Sequence, residues 1–368
     1  MNCRILLIGL ALFYSCEPFV NEFPNEISVA EMYESAAKIP AVATAAPQII
    51  TWNIRFGSAR FPFYGDSCGD KVIAKKDVIK GNLDNITAEI NSLDPDIILL
   101  QEVDMFSKRS GYINQIQYLL DNTAMNYGCY ASIWQVDFVP NYGLGRVDLG
   151  NAILSKYELT DAERIQLRLR TDQSDLVQYF YLRRNILKVK IPDLNLYAVN
   201  IHATAFATDD TKQEHVDKFI QVLADIDLTG DQFIAGGDLN SLPPGAPVID
   251  FCEHDMCNDE NFHMEGIEPF HKEGSYFDNF DGEPNILQPL YGAYAPAINS
   301  QVMNNPEYLT HAPSTSNERW DIKYDRKLDY LFTNVAGGWV HGSATTHQNL
   351  WPLSDHMPVS AVLNLSGD

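Results

Sequence analysis

The sequence predicts an α/β (α+β) fold in which two β-sheets pack face to face with helices outside. Two observations predict it. Short β-branched and aliphatic runs recur from residue 49 to residue 363, while few segments show the 3.6-residue spacing of an amphipathic helix. Many short strands with few helices suit stacked sheets better than a wound parallel sheet, which needs a crossover helix between strands. The 368 residues are 45% apolar and 20% charged, enough to bury a sizeable core.

The first residues, MNCRILLIGLALFYSC, carry Arg4, a continuous apolar run from Ile5 to Tyr14, then Ser15 and Cys16. That run is short for a bilayer span and has the layout of a signal peptide over residues 1–15. Ser15-Cys16 resembles a bacterial lipoprotein cleavage site, although Phe13 stands where that pattern usually has leucine. The expectation is an exported protein attached to a cell-envelope membrane by a lipid on Cys16, with plain secretion as the alternative. Residues 16–46, with the Ala-rich AAKIPAVATAAP, read as a tether or a loosely packed lead-in, and one domain is expected over 47–368.

Ile49-Ile50-Thr51-Trp52-Asn53-Ile54 opens that domain as a strand. Ile79, Leu83, Ile86, Ile90 and Leu93 share one helical face over Asp77–Leu93, and Asp94-Pro95 stops that helix. Ile97-Ile98-Leu99-Leu100 follows as a buried strand delivering Gln101-Glu102 at its end. Further strands are expected at Asn151–Leu154, Tyr179–Ile191, Leu196–Ile201, Phe233–Ala235, Leu328–Thr333 and Val359–Leu363, with a helix over Asp210–Leu223. Gly236-Gly237 reads as a backbone turn. From Cys252 to Lys327 the chain is irregular and rich in aromatics, as long binding loops or a surface insertion would be.

Formal charge is −23 and the pI is near 4.6, which repels a polyanion and disfavours strong nucleic-acid binding. Beyond the leader, Cys68, Cys129, Cys252 and Cys257 allow three disulfide pairings. The Cys252-Glu-His-Asp-Met-Cys257 loop, with His254, His263 and His271, fits a disulfide or buried thiols better than zinc, because its spacing matches no common zinc knuckle.

Polar groups follow several apolar strands: Asn53, Glu102, Asn200 with His202, Asp238 with Asn240, Asp329, and Asp355 with His356. Singly, each is an ordinary cap or turn residue. Together, carboxylates and amides without cysteine favour a hard, oxygen-ligated cation such as Mg²⁺, with Mn²⁺ as the alternative. The histidines add proton transfer near neutral pH. Attack of water on a phosphate ester needs charge stabilisation, a base and help for the leaving oxygen, all within reach of such a set.

The strings ITWNIRFG, ILLQEVD, YAVNIHA, IAGGDLNS, KLDYLF and LSDHMPV resemble, in order, the motifs of the endonuclease/exonuclease/phosphatase superfamily, and GNAILSKYEL and YLRRNILKVKI also look familial. The resemblance covers Pro47 to the C-terminus. It implies a DNase I-like four-layer sandwich of two mixed sheets flanked by helices, and a Mg²⁺-dependent phosphoester hydrolase.

On that resemblance Glu102 would be the main metal ligand with Asn53 beside it, and Asp355 would support the metal side. Asp238 would position or activate water, and Asn240 would contact the phosphate. His356, held by Asp329, would be a base or phosphate contact, while His202 would stabilise phosphate oxygens or protonate the leaving group. Asn-Ile-His departs mildly from the commoner Asn-Thr-His. Arg183 and Arg184 could neutralise phosphate, but an edge-strand ion-pair role is as reasonable, so they stay outside the catalytic set. The acidity, the aromatic loops after Cys252 and the expected lipid anchor suit a lipid headgroup or a small organic phosphate as substrate. An extracellular nuclease and an exported non-catalytic binding protein are the competing readings.

Overall fold

The computed structural model describes residues 19–66, 69–205, 207, 209–247, 283–313 and 324–366. In chain order its strands are β1 (Ile27–Val29), β2 (Glu31–Glu34), β3 (Gln48–Asn53), β4 (Ile97–Asp104), β5 (Tyr127–Val139), β6 (Gly145–Ser155) and β7 (Thr160–Gln166). They continue as β8 (Asn185–Ile191), β9 (Leu196–His202), β10 (Gln232–Asp238), β11 (Ala295–Pro296), β12 (Asp329–Thr333), β13 (Thr345–Thr346) and β14 (Val359–Val362). Two seven-stranded sheets result, ordered β13-β14-β3-β4-β6-β5-β2 and β1-β7-β8-β9-β10-β12-β11. Both mix parallel and antiparallel pairs.

Strand alternation builds the layers. Ile49, Ile97 and Leu99 of the first sheet meet Leu187, Val189, Ala198 and Ile234 of the second in the central core. Their neighbours Ile50, Ile98 and Leu100 face outward, yet are as buried, because helix α1 (Lys76–Leu93) covers them with Ile79, Leu83, Ile86 and Ile90. This is why the β4 run is apolar at every position: both of its faces are covered. Helix α2 (Gln115–Asn122) joins the same layer. After the five-residue α3 (Asp175–Tyr179), α4 (Thr211–Leu228) covers the second sheet through Val216, Phe219 and Leu223 packed on Val199, Ile201 and Phe233. Helix, sheet, sheet, helix is the expected four-layer sandwich.

Several local expectations change. The stretch expected as a tether contributes β1, paired with β7, and β2, paired with β5. Both are edge strands with mostly exposed side chains, so no buried pattern announces them. The strand expected over Tyr179–Ile191 forms only from Asn185, and it lies inside the sheet between β7 and β9 rather than at an edge. The strand ending at Leu100 runs on to Asp104. Helix α4 runs five residues past Leu223 and buries Ile226. Helix α2 and strands β5 and β7 were not expected. Cys129 is a free, buried thiol, and burial pushes its pKa up. Cys68 and the Cys252–Cys257 loop with His254, His263 and His271 lie outside the described residues.

Gly236 and Gly237 form no turn: both lie in β10. A Cβ at Gly236 would stand 2.1 Å from the Tyr330 carbonyl oxygen, and one at Gly237, whose φ is +132°, 2.0 Å from that of Ile201. Neighbouring strands leave hydrogen there as the only fitting side chain. Gly236→Ala is therefore expected to cost about 3 kcal/mol, as overpacking against rigid backbone does. A urea midpoint within error of the parent's would refute this.

Candidate active site

Sheet register assembles the site. Asp238, the last residue of β10, pairs with His202 at the end of β9 and with Asp329 at the start of β12. Three chemistry-bearing side chains from distant parts of the sequence thus stand in a row across one sheet end. The facing sheet supplies Asn53 at the end of β3 and Glu102 in β4. Glu102 has φ +55° at a register shift between Leu100 and Val103. Such a bulge re-aims a side chain, which is how an internal strand residue reaches the cleft. His356 precedes β14, with its carbonyl accepting from Trp52 Nε1 at 3.0 Å.

The central acceptor is Asp238 Oδ2. It receives Asn53 Nδ2 at 3.1 Å, with His202 Nε2 at 3.4 Å and His356 Nε2 at 3.7 Å. Its partner Oδ1 accepts the Asn240 amide N–H at 3.0 Å. His356 Nδ1 lies 2.9 Å from Asp329 Oδ2, so the ring spans two carboxylates. Burial pushes the Asp238 carboxyl up to about 7, against the opposing pull of His356. Burial also opposes charge on His356, but Asp329 and Asp238 outweigh it and hold its pKa well above the usual imidazole value. His202 goes the other way: burial, then the charges of Arg184 and His356, keep it neutral. Two imidazoles beside one carboxylate are thus held in opposite protonation states.

The cleft beside this cluster is a pocket of about 190 Å³ whose wall includes Glu102, His202, Asp355 and Arg184. Asp355 pairs with Arg55 at 3.1 Å. Burial works against its ionisation, yet Arg55 and then His356 bring its pKa down to about 2. Burial and then the Asp355 charge raise Glu102. Glu102 accepts one hydrogen bond, from Asn53 Nδ2 at 3.2 Å, and has no ion pair among the described residues.

A pocket carboxylate that faces a second one and makes no ion pair among the described residues, with Arg109 and His356 opposing the rise of its pKa from further off, fits a hard divalent ion. Asp238, Asp329 and His356 also bring ligand-type atoms within 4.8 Å of one another. Asp329 Oδ2 and His356 Nδ1 are engaged with each other, while Asp329 Oδ1 has no hydrogen-bond partner among the described residues. Glu102, Asn53 and Asp355 offer the oxygen donors that a hard divalent ion takes.

Eight of the nine strand-end residues singled out in the sequence border this one region. Asn240 sits at φ +46°, its side chain donating to the Ala203 carbonyl at 3.1 Å. Asn200 is different. It donates to the carbonyls of Leu100 and Ala152 at 2.8 and 2.9 Å and accepts from Gln101 at 2.7 Å, a polar cross-link between the sheets.

Two residues left out of the set belong beside it. Arg184 is buried, donates to the His202 carbonyl at 3.0 Å, and its Nε has no hydrogen-bond partner among the described residues. No carboxylate pairs with it among the described residues, so it is not the edge-strand ion-pair partner considered for it. His311 lies directly opposite His356, with ring centroids 5.3 Å apart, and its Nδ1 is 2.8 Å from buried Asp325. Nothing in its irregular surroundings, NNPEYLTHAP, signals that pairing.

Comparison with known proteins bears on the family and the fold. The sequence profile described as Endonuclease/Exonuclease/phosphatase family matches residues 50–356. No curated protein matches the chain. An endonuclease/exonuclease/phosphatase from Beutenbergia cavernae DSM 12333 has a similar structure, with TM-score 0.53 and 15% identity over 87% of this chain and 72% of that one. A functionally unknown conserved protein from Enterococcus faecalis V583 gives 0.49 and 15% over 86% and 99%. Truncated Caenorhabditis elegans TDP2 gives 0.47 and 14% over 87% and 97%. At such identity the first of these speaks for the fold alone, whereas the profile runs through every strand that carries a site residue. On that match the chain belongs to the endonuclease/exonuclease/phosphatase family, whose members are phosphoester hydrolases.

Proposed function

We propose that the chain is an exported, Mg²⁺-dependent phosphoesterase that uses water to cleave a phosphodiester or phosphomonoester of a lipid headgroup or small organic phosphate. One observation carries the reading. A buried carboxylate, Asp238, stands within reach of an amide and two oppositely protonated imidazoles, beside a pocket walled by Glu102.

Mg²⁺, or Mn²⁺, held by Glu102 with Asn53 and Asp355 beside it, would supply Lewis-acid stabilisation of phosphate charge. Asp238 positions the attacking water and takes its proton. A carboxylate raised to about 7 by burial is a far better proton acceptor than one near 4. Cationic His356, oriented by Asp329, faces the phosphate oxygens as a charge-assisted donor. Neutral His202 has its Nε2 towards Asp238, and its Nδ1 has no partner among the described residues. Asn240 is fixed by its side-chain donation to the Ala203 carbonyl and by its backbone N–H on the Asp238 carboxylate, and orients the phosphate. Arg184 neutralises the same group from the pocket wall.

Substrate class follows from two further features. A net charge of −23 disfavours a polyanion. Phe56, Phe63 and Trp134 in the pocket wall favour an apolar substituent next to the phosphate. With Mg²⁺, the purified protein should hydrolyse phospholipids or small phosphate esters faster than plasmid DNA. Much faster degradation of the plasmid would make it a nuclease instead. Arg184→Met is expected to lower kcat/KM on such substrates by about 10²-fold, as loss of one preorganised donor does. An unchanged kcat/KM would remove Arg184 from the site.

A further inference from the structure

Arg55 follows the end of β3 by two residues and is buried. Its backbone lies at φ +46°, and Phe56 beside it at φ +43°, the left-handed region that non-glycine residues seldom enter. Strain of this kind persists where the surroundings over-determine it. Here each nitrogen of the guanidinium is engaged. Nε lies 3.1 Å from Asp355 Oδ2, Nη2 pairs with Asp66 Oδ2, and Nη1 donates to the Ala59 carbonyl at 2.6 Å. The Arg55 backbone N–H donates to Asn53 Oδ1 at 3.0 Å. One residue thus touches both Asn53 and Asp355, which stand beside Glu102 on the metal side.

Asp66 is a third carboxylate in the same pocket wall as Glu102 and Asp355, with Arg55 among them. Three free carboxylates around one pocket would suit Ca²⁺, which takes about six to eight oxygens and accepts bidentate carboxylates. Mg²⁺ is smaller, keeps much of its water and usually takes one or two carboxylates. Arg55 separates these cases. With Oδ2 held by Nε, Asp355 has Oδ1 left for an ion, and that oxygen accepts from Ser354 Oγ at 3.3 Å. Asp66 is held at the other end of the guanidinium. Nearby cations have other partners. Arg60 donates to the Ala312 and Pro313 carbonyls at 2.8 and 2.6 Å, and Arg109 pairs with buried Asp104 at 2.9 Å. Among the described residues, Arg55 is the cation that bridges the two carboxylates.

We propose that Arg55 sets the ion preference of the site. By holding one oxygen of Asp355 and one of Asp66, it restricts the ion to Glu102 and a single Asp355 oxygen with the Asn53 amide, and so favours Mg²⁺ over Ca²⁺. The proposal rests on the metal-dependent reading given above. Its planar fork is what suits Arg to the task, because two carboxylates are engaged by different nitrogens of one rigid group.

Calorimetric titration of the chelator-stripped protein with Mg²⁺ and, separately, with Ca²⁺ gives an affinity ratio for each form. Arg55→Met should shift that ratio towards Ca²⁺ by about ten-fold or more, because Asp66 and both Asp355 oxygens become available. Adding Asp66→Asn should return most of the shift. Arg55→Lys keeps a buried charge, which guards against misfolding, but its point charge cannot span both carboxylates, so it should move the ratio the same way by about three-fold or more. Ratios within about two-fold of the parent's in every folded variant overturn the proposal and leave the phosphoesterase reading standing. So does a parent that itself binds Ca²⁺ about ten-fold or more tightly than Mg²⁺. A parent that binds neither ion removes the metal-dependent reading, and the proposal with it.

Discussion

Asp238→Asn is expected to lower kcat for a soluble phosphodiester by about 10³-fold with little change in KM, because it deletes the proton acceptor and keeps the shape. The residue is the hub of the site, touched by Asn53, His202, His356 and the Asn240 amide. Its pH signature follows from burial. With its carboxyl pushed up to about 7, the parent's kcat/KM should fall as pH drops through that region, since the protonated acid cannot accept. The same shift sets a stability trend. Between about pH 4 and 7 the folded state keeps a proton that the unfolded chain has released, so this group's contribution to stability declines as pH rises through that window. The Asn variant lacks the group, and its stability should decline less over the same range. A variant retaining more than a tenth of parental kcat would remove Asp238 as the base.

Glu102→Gln is expected to be comparably severe, about 10³-fold in kcat/KM, and partly recoverable by raising Mg²⁺. The amide is isosteric but uncharged, so it weakens a hard-cation site while leaving the bulge intact. Recovery separates ligand loss from misfolding, since a collapsed pocket does not respond to metal. A variant as active as the parent at every Mg²⁺ concentration would exclude Glu102 as a ligand.

What was readable in the sequence depended on how completely each element is covered. The β4 run Ile97–Leu100 is buried on both faces and stands out as four apolar residues, and α1 shows its buried stripe at helical spacing. The edge strands β1 and β2 expose most of their side chains and leave no such trace. Long β5 is broken by two register shifts, which interrupt its alternation. At the site, strand-end residues such as Asn53, His202 and Asp238 were legible because a polar group after an apolar run is locally visible. The bulge that turns Glu102 into the cleft was not, since a positive φ at a non-glycine residue is imposed by the surrounding sheet. Arg184 looked like any strand-flanking cation. Only the register of β8 between β7 and β9 buries it beside His202. His311 depends on a cross-strand pairing between two irregular segments, which no spacing rule anticipates.

Everything proposed for this site turns on two sheets presenting their side chains to one shared divalent ion. Calorimetric titration of the chelator-stripped protein with Mn²⁺ reads that directly. Binding of one ion per chain that weakens by about ten-fold or more in Glu102→Gln, and persists in Arg184→Met, is the expected result. Heat curves that are flat for the parent, or identical in the parent and Glu102→Gln, would contradict it.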